Sequence, residues 1–163
     1  MSVREIRLFG DPVLKTRCTE VQDFERAKPL IQDLIDTTSL PGRAGVAANQ
    51  IGVELRAFAY NVDGEVGYLI NPRIVSLEGE PELIDEGCLS VPGLWQKVLR
   101  HPIATAAGFK LDGSEIEIRG EGLLAQALQH EVDHLDGFLY LDRLSPQERK
   151  LAFRSLRDQS WFN

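Results

Sequence analysis

The residues best suited to chemistry lie in the pentapeptide His130-Glu131-Val132-Asp133-His134. Its two histidines are four positions apart, so on a helix both imidazoles face the same side and can bind one metal ion. Glu131 lies one step round the helix, where its carboxylate can face a water activated by that ion. The spacing predicts metal-dependent hydrolysis, and the alternative is an exposed polar turn that binds nothing.

A helical projection of this segment argues against an exposed turn. At about 100° per residue, His130, His134 and Glu131 fall on one arc with Leu123 and Ala127. The opposite side carries three polar residues, which are Gln126, Gln129 and Asp133. Burial of an unpaired Glu131 carboxylate among leucines is costly, and a metal ion with its water relieves that cost. Leu123 and Ala127 are either walls of a pocket for an unbranched side chain such as methionine or ordinary core residues.

Two imidazoles leave a tetrahedral ion short of ligands, because catalytic sites of this kind take three protein groups. Three acidic residues downstream of HExxH could be considered as the third ligand, but none lies in a sequence context typical of one. They are Asp136, Asp142 and Glu148. Upstream, Cys88 lies in the loop Glu86-Gly87-Cys88-Leu89-Ser90-Val91-Pro92-Gly93. Cys88 is either the third ligand or a buried apolar thiol. An acidic third ligand would instead indicate an HExxH endopeptidase.

A run of small residues, Arg43-Ala44-Gly45-Val46-Ala47-Ala48-Asn49-Gln50-Ile51-Gly52, ends in an amide side chain. Small residues allow a substrate backbone to approach closely. The Gln50 amide is suited to donate a hydrogen bond to a developing oxyanion. The alternative for this run is close packing between a helix and a sheet.

Size and charge limit the function classes. The chain has 163 residues, which predicts one domain spanning residues 1–163. Its formal charge of −7 disfavours a broad cationic surface, so we expect no direct nucleic-acid readout. No run approaches the ~20 apolar residues of a membrane helix, and the first residues lack an apolar signal core. We therefore expect no membrane contact and a cytoplasmic location.

The helices follow from periodicity and capping. Apolar residues at three- and four-residue spacing predict a first helix from its cap at Asp23 to about Thr38, with Pro29 kinking it or delaying its start. A second helix is predicted from about Gly122 to Leu135. A third begins at the capping box Ser145-Pro146-Gln147-Glu148.

Short β-prone runs between the first two helices predict strands at 55–62, 67–70, 74–77 and 103–109. Asn71-Pro72 is interpreted as a turn between two of them, and 110–114 as the turn of a hairpin. The order of helix, strands and helices predicts the α+β class. We expect mostly antiparallel sheets around a central helix that carries HExxH, with N-terminal and C-terminal helices.

Taken in order, the glycine-alanine run, EGCLS and HExDH resemble the peptide deformylase family. The resemblance covers most of the chain and extends to Gly10-Asp11-Pro12-Val13-Leu14 and to Gln129-His130-Glu131-Val132-Asp133-His134-Leu135-Asp136-Gly137. It implies one divalent metal ion per chain, with Fe(II) as the native ion and Zn(II) as a weaker substitute. A thiolate with two imidazoles also suits Co(II) or Ni(II). The metal ligands that it implies are Cys88, His130 and His134.

The resemblance also implies the remaining roles. Glu131 would be the general acid and base, Gln50 and the Leu89 backbone N–H would stabilise the oxyanion, and the Gly45 backbone would help hold the substrate. A metal-bound hydroxide would attack the formyl group of formyl-methionyl nascent peptides and release formate. Glu86 and Arg100 resemble the family's buried ion pair.

Two positions depart from the family pattern. The first glycine of Gly-x-Gly-x-Ala-Ala-x-Gln is Arg43 here, and the stretch after EGCLS, Gly93-Leu94-Trp95-Gln96, lacks a peptide-gripping arginine. The basic residues of the third helix form either a solvated face or a surface for transient contact with the ribosome. These residues are Arg143, Arg149, Lys150, Arg154 and Arg157. A non-catalytic homologue that keeps its metal for stability is the alternative from another functional class.

Overall fold

The computed structural model describes residues 2–162. Within these residues the chain forms three α-helices, namely α1 Phe24–Thr38, α2 Leu123–Leu135 and α3 Pro146–Leu156. It forms seven strands, namely β1 Gly45–Ala47, β2 Ala57–Val62, β3 Glu65–Glu78, β4 Glu82–Glu86, β5 Gln96–Arg100, β6 Ile103–Phe109 and β7 Glu115–Glu121. Their ladders are antiparallel, which confirms the predicted α+β class.

The larger sheet has the order β1-β2-β3-β6-β7 and separates two of the helices. Alternate residues of β2 face opposite sides, because side chains along a strand have a period of two. Ala57 and Ala59 pack in the cluster that contains α1, whereas Phe58 packs in the cluster that contains α2. The helix that carries HExxH therefore lies against one face of the sheet, and α1 covers the other.

Each predicted helix is present, and α1 and α3 are capped as expected. The Asp23 side chain accepts hydrogen bonds from the N–H groups of Glu25 and Arg26, and α1 continues through Pro29 without a delayed start. Ser145 and Glu148 form the capping box of α3. Gly122 precedes α2 with φ 58° and ψ −126°, a conformation that favours glycine.

The interpretation of Asn71-Pro72 as a turn is wrong, because β3 runs unbroken through it. The register of β3 against β6 shifts between Ile70 and Arg73, which marks a bulge. Asn71 has φ 52°, and its side chain bonds to both the N–H and the C=O of Val21. Proline is tolerated at a bulge because no ladder hydrogen bond is required there.

The β4–β5 hairpin was not predicted, because its burial pattern is the reverse of the usual one. Leu83 and Leu99 face each other across the ladder and are exposed, whereas Glu86 and Arg100 are buried. A hydrophobic pattern therefore gives no strand signal here. The hairpin matters for the site because Glu86, its last β4 residue, leads directly to Cys88.

The C-terminal segment anchors the loop that follows Cys88. Residues of α3 and of the 3-10 turn Tyr140–Arg143 pack with Val91, Leu94 and Val98 in a third apolar cluster. Tyr140 Oη donates to the carbonyl of Leu94 at 3.2 Å.

Across residues 2–162, no helix combines the length and apolar character needed to span a bilayer.

Candidate active site

Three side chains, two from α2 and one from the loop after β4, converge on one point. His130 and His134 lie one turn apart on α2, and Cys88 comes from the loop after β4. The two histidine Nε2 atoms are 3.0 Å apart, and Cys88 Sγ is 3.3 Å from His134 Nε2. One ligand atom from each residue lies within 4.8 Å of the others, and among residues 2–162 this is the group of three suited to a metal ion.

The donor set fits a divalent ion. A tetrahedral ion with metal–nitrogen bonds of about 2.0 Å and metal–sulfur bonds of about 2.3 Å separates its ligands by roughly 3.3 to 3.6 Å. The distances between the ligand atoms here are close to that range. His130 Nδ1 donates to Glu86 Oε2 at 2.7 Å, which leaves the lone pair on Nε2 free for a metal. One thiolate and two imidazoles suit zinc, iron, cobalt or nickel.

Glu86 belongs to a chain of buried ion pairs. Arg100 forms a two-pronged contact with Glu86, at 2.8 Å and 2.6 Å, and donates to Asp133 Oδ2 at 2.9 Å. Arg143 then contacts both oxygens of Asp133. Although burial opposes ionisation, hydrogen bonds from Arg100 and His130 hold the pKa of Glu86 well below its ordinary value. This chain of ion pairs fixes the orientation of the His130 ring through the hydrogen bond between His130 Nδ1 and Glu86.

Glu131 is buried beside the three ligands and has an oxygen with no partner. Its Oε1 has no hydrogen-bond partner among the described residues. A Cβ added at Gly45 would lie 2.7 Å from Glu131 Oε2, so only glycine fits beside this carboxylate. Burial raises the pKa of Glu131 to about 7. A carboxyl group with such a pKa is suited to accept and return a proton near neutral pH.

Gln50 is held with its amide N–H groups towards the site. Its Oε1 accepts from the Ala47 N–H at 2.9 Å, so the NH2 end must face the other way. Nε2 then lies 3.1 Å from Ser90 Oγ and 3.7 Å from Cys88 Sγ. The Leu89 N–H, one residue after Cys88, donates to no described backbone carbonyl. Two donors therefore flank the thiol.

A cleft of about 480 Å³ opens over these groups. Leu123 and Ala127 line it, together with Gly45, His130 and Glu131, as the helical projection placed them. Ala127 is buried and Leu123 is half exposed. Their position allows either residue to contact a substrate side chain next to the ligands.

Sequence reasoning misplaced the polar side of α2. Gln126, expected opposite the histidines, lines the cleft and donates to the Asp85 carbonyl at 2.9 Å and to Glu86 Oε1 at 3.2 Å. Asp133 is buried against Arg100 and Arg143 rather than solvated. Apart from Gln126, residues 125–135 are all buried. These roles become visible only in the folded structure, where the packed α2 helix has no stripe of residues that faces the solvent.

None of the downstream acids is a ligand. Asp136 pairs with Arg56 at 2.9 Å, Asp142 pairs with Lys15 at 3.1 Å, and Glu148 caps α3. Both cysteines are free thiols, and Cys18 is buried in the core. The arrangement therefore lacks the acidic third ligand expected of an HExxH endopeptidase.

The sequence matches the profile of the polypeptide deformylase family over residues 3–150. The chain belongs to this family. A peptide deformylase from Acidothermus cellulolyticus is 51% identical over 162 residues, covering 99% of this chain and 89% of its own length. A family member is a hydrolase that removes formyl groups from polypeptides, and a divalent metal ion at the Cys/His/His group agrees with that chemistry.

Solved structures of deformylases agree with the fold. A peptide deformylase from Legionella pneumophila superposes with a TM-score of 0.89 at 41% identity, over 96% of this chain and 94% of that one. A peptide deformylase from Ehrlichia chaffeensis in complex with actinonin gives 0.88 at 32% identity, over 98% and 99%. The likeness therefore extends over nearly the whole of each chain.

Proposed function

We propose that this enzyme hydrolyses the N-formyl group of formyl-methionyl polypeptides and releases formate, using the groups at the floor of the cleft. The observation that carries this proposal is the buried Glu131 carboxylate, which has a free oxygen beside three converging metal ligands. A metal site kept only for stability needs no proton-transfer group next to it. A hydrolase does need one.

Cys88, His130 and His134 hold the metal ion in this proposal. The ion supplies Lewis acidity for the activation of water and the polarisation of a carbonyl group. We propose Fe(II) as the native ion, with Zn(II), Ni(II) or Co(II) able to replace it, because the donor set suits all four and the family resemblance favours iron. Metal analysis of protein purified without oxygen tests this choice.

The chain's own groups divide the remaining work. Glu131 accepts a proton from the attacking water and later delivers it to the departing amine nitrogen, which completes the cleavage of the C–N bond. The Gln50 amide and the Leu89 N–H donate to the oxygen that becomes negative when the formyl carbon turns tetrahedral. Gln50 is suited to this role because the Ala47 N–H fixes its amide orientation.

The substrate backbone has a natural partner in β1. This strand lies at the edge of its sheet, and Gly45 within it lines the cleft. An extended peptide can add to such an edge through main-chain hydrogen bonds. The first side chain of the peptide, methionine, then lies against Leu123 and Ala127. An unbranched apolar side chain suits this wall.

We propose nascent polypeptides as the physiological substrates and the cytoplasm, where they are made, as the compartment. A transient ribosome contact through the basic residues in and beside α3 is the remaining part of this proposal. Arg143 and Arg149 are already engaged, with Asp133 and Asp142 respectively. Lys150, Arg154 and Arg157 are therefore the residues to test, by ribosome co-sedimentation of a triple glutamine variant.

Formate release by protein reconstituted with Fe(II) under anaerobic conditions tests the reaction. The substrate is a formyl-methionyl tripeptide, and the matched control is the same tripeptide carrying an acetyl group. We expect rapid formate release from the first and little acetate from the second. Cleavage of an internal peptide bond, or no formate from protein that holds one metal ion per chain, would overturn the proposal.

A further inference from the structure

We infer that Arg43 makes this enzyme prefer polypeptides with a carboxylate at their second or third residue. The inference rests on the proposed function, because it concerns the substrate that the cleft receives. It concerns the mouth of the cleft, which we define as residues 42–44 on one side and 93–95 on the other. Both segments line the cleft above the metal ligands.

Arg43 carries an uncompensated charge at this mouth. The cleft also contains Asp85, which pairs with Lys97 at 3.1 Å, and Glu86, which pairs with Arg100 at 2.6 Å. Within residues 2–162, no carboxylate lies within ion-pair distance of Arg43. Its charge is therefore available to a ligand.

The Arg43 guanidinium is tethered rather than loose. Nη1 donates to the carbonyl of Thr37 at 3.0 Å, in the last turn of α1. That turn contains no basic residue of its own, so a cation from the following loop is favourable there. A guanidinium has five N–H donors, and this contact uses a single one of its two Nη groups. The remaining donors are suited to bind a carboxylate.

A polypeptide that starts at the floor of the cleft and pairs with β1 leaves past Arg43. Its formyl group lies beside Glu131, and Glu131 contacts the Gly45 position. Beyond Gly45, residues 46–50 are buried and block one direction along β1. Residues 42–44 are exposed or half-buried, so the open end of the strand lies on that side.

The reach of the chain fixes which substrate residue is involved. Arg43 is two residues from Gly45, a separation of at most ~7 Å in an extended chain. Consecutive Cα atoms of the substrate are about 3.8 Å apart. A formyl group next to Gly45 therefore places the second or third residue of the substrate opposite Arg43. The other side of the mouth carries Trp95, which has no charge and is 71% exposed.

The preference is measured as peptide binding to metal-loaded Glu131→Gln protein, so that it does not depend on turnover. The probes are formyl-Met-Glu-Ala amide and formyl-Met-Ala-Glu amide, each compared with the matching glutamine peptide. Because the ion pair is exposed, we expect about three-fold tighter binding of at least one glutamate peptide. Ionic strength of about 1 M, where the Debye length is about 3 Å, should abolish the difference.

Charge variants separate the guanidinium charge from loop structure. In the same background, Arg43→Gln should remove the preference, Arg43→Glu should reverse it and Arg43→Lys should retain it. Arg26→Gln makes the same change in net charge on exposed α1 surface and should leave the preference intact. Equal binding of glutamate and glutamine peptides, or a preference unaltered by Arg43→Gln, would overturn the inference. Failure of wild-type protein to release formate would overturn the proposed function instead.

Discussion

The floor and the mouth of the cleft differ in how firmly their side chains are held. The floor consists of Gln50, Cys88, His130, Glu131 and His134, and His134 is fully buried at 0% exposure. Two of its side chains are oriented by partners outside the floor, His130 by Glu86 and Gln50 by the Ala47 N–H. At the mouth, Arg43 forms a single hydrogen bond within residues 2–162 and Trp95 is 71% exposed.

This difference has a physical cause and a functional consequence. A buried polar group that loses its partner is costly, so the floor residues that are held by such partners tolerate little change around them. An exposed side chain can be exchanged with little effect on stability. We therefore propose that the floor determines the reaction and that the mouth determines which polypeptides are favoured.

The largest expected effect comes from a ligand in the floor. Cys88→Asp replaces a thiolate by a hard oxygen donor of different reach. We expect more than about 10³-fold loss of activity with weakened metal retention, because the Lewis acidity of the ion is worth several kcal/mol and even outer partners of ligands are worth 10- to 100-fold. Metal content and formate release measure this. Cys18→Ala, at the second thiol of the chain and outside the metal-ligand group, is the matched control and should keep its metal. Full metal binding by Cys88→Asp would favour an endopeptidase-like site.

The next effect concerns the support of the floor. Arg100→Met leaves Glu86 and Asp133 buried without their shared partner, which should lower the free energy of unfolding by about 3–5 kcal/mol. For a chain of this length that corresponds to a fall in Tm of about 10 °C. Arg119→Met removes an arginine with only exposed partners and should change Tm little. Equal shifts for the two variants would contradict the assigned role of the buried chain.

Loss of an oxyanion donor should be smaller but specific to the reaction. Gln50→Leu removes the amide N–H, and we expect kcat to fall about 10²- to 10³-fold, equivalent to about 2.7–4 kcal/mol. Metal content should remain that of wild type because Gln50 is not a ligand. Steady-state kinetics and metal analysis together check this. An effect confined to KM would show that Gln50 serves in binding only.

The smallest of these four effects is expected at the boundary between floor and mouth. Leu123→Trp narrows the wall beside the ligands, and we expect about ten-fold weaker binding of formyl-methionyl peptides, within the usual 1–3 kcal/mol for a misfit of this kind. A formyl-alanyl peptide has a shorter side chain and should be affected less. Unchanged affinity for the methionyl peptide would rule out Leu123 as part of the pocket.

Sequence patterns predicted the parts of this molecule in which local and tertiary preferences agree. The i, i+4 histidines, the capping boxes and the 110–114 turn each depend on interactions within a few residues. The β4–β5 hairpin was not predicted from the sequence, because it buries Glu86 and Arg100 and exposes Leu83 and Leu99. The bulge at Asn71-Pro72 was not predicted either, because Val21, which bonds to the Asn71 side chain, is 50 residues away.

The candidate site is likewise divided into residues that a sequence pattern identifies and residues that only the folded structure identifies. The ligands and Glu131 carry a recognisable spacing, but Gln126 and Arg143 act through partners that no spacing reveals. A helical projection assigns one side of α2 to solvent, whereas this helix is covered on nearly all sides. Only packing shows that its polar residues are buried partners of the metal site.

The central claim is that Glu131 transfers the proton in hydrolysis of the formyl group, and the pre-steady-state rate of formate release tests it most directly. Wild-type and Glu131→Gln proteins would be compared anaerobically at equal Fe(II) content, on one formyl-methionyl tripeptide. We predict a loss of about 10³-fold or more in the variant, in line with the upper range for general acid–base catalysis. Comparable rates in the two proteins would contradict the account, because a carboxamide cannot accept and return that proton.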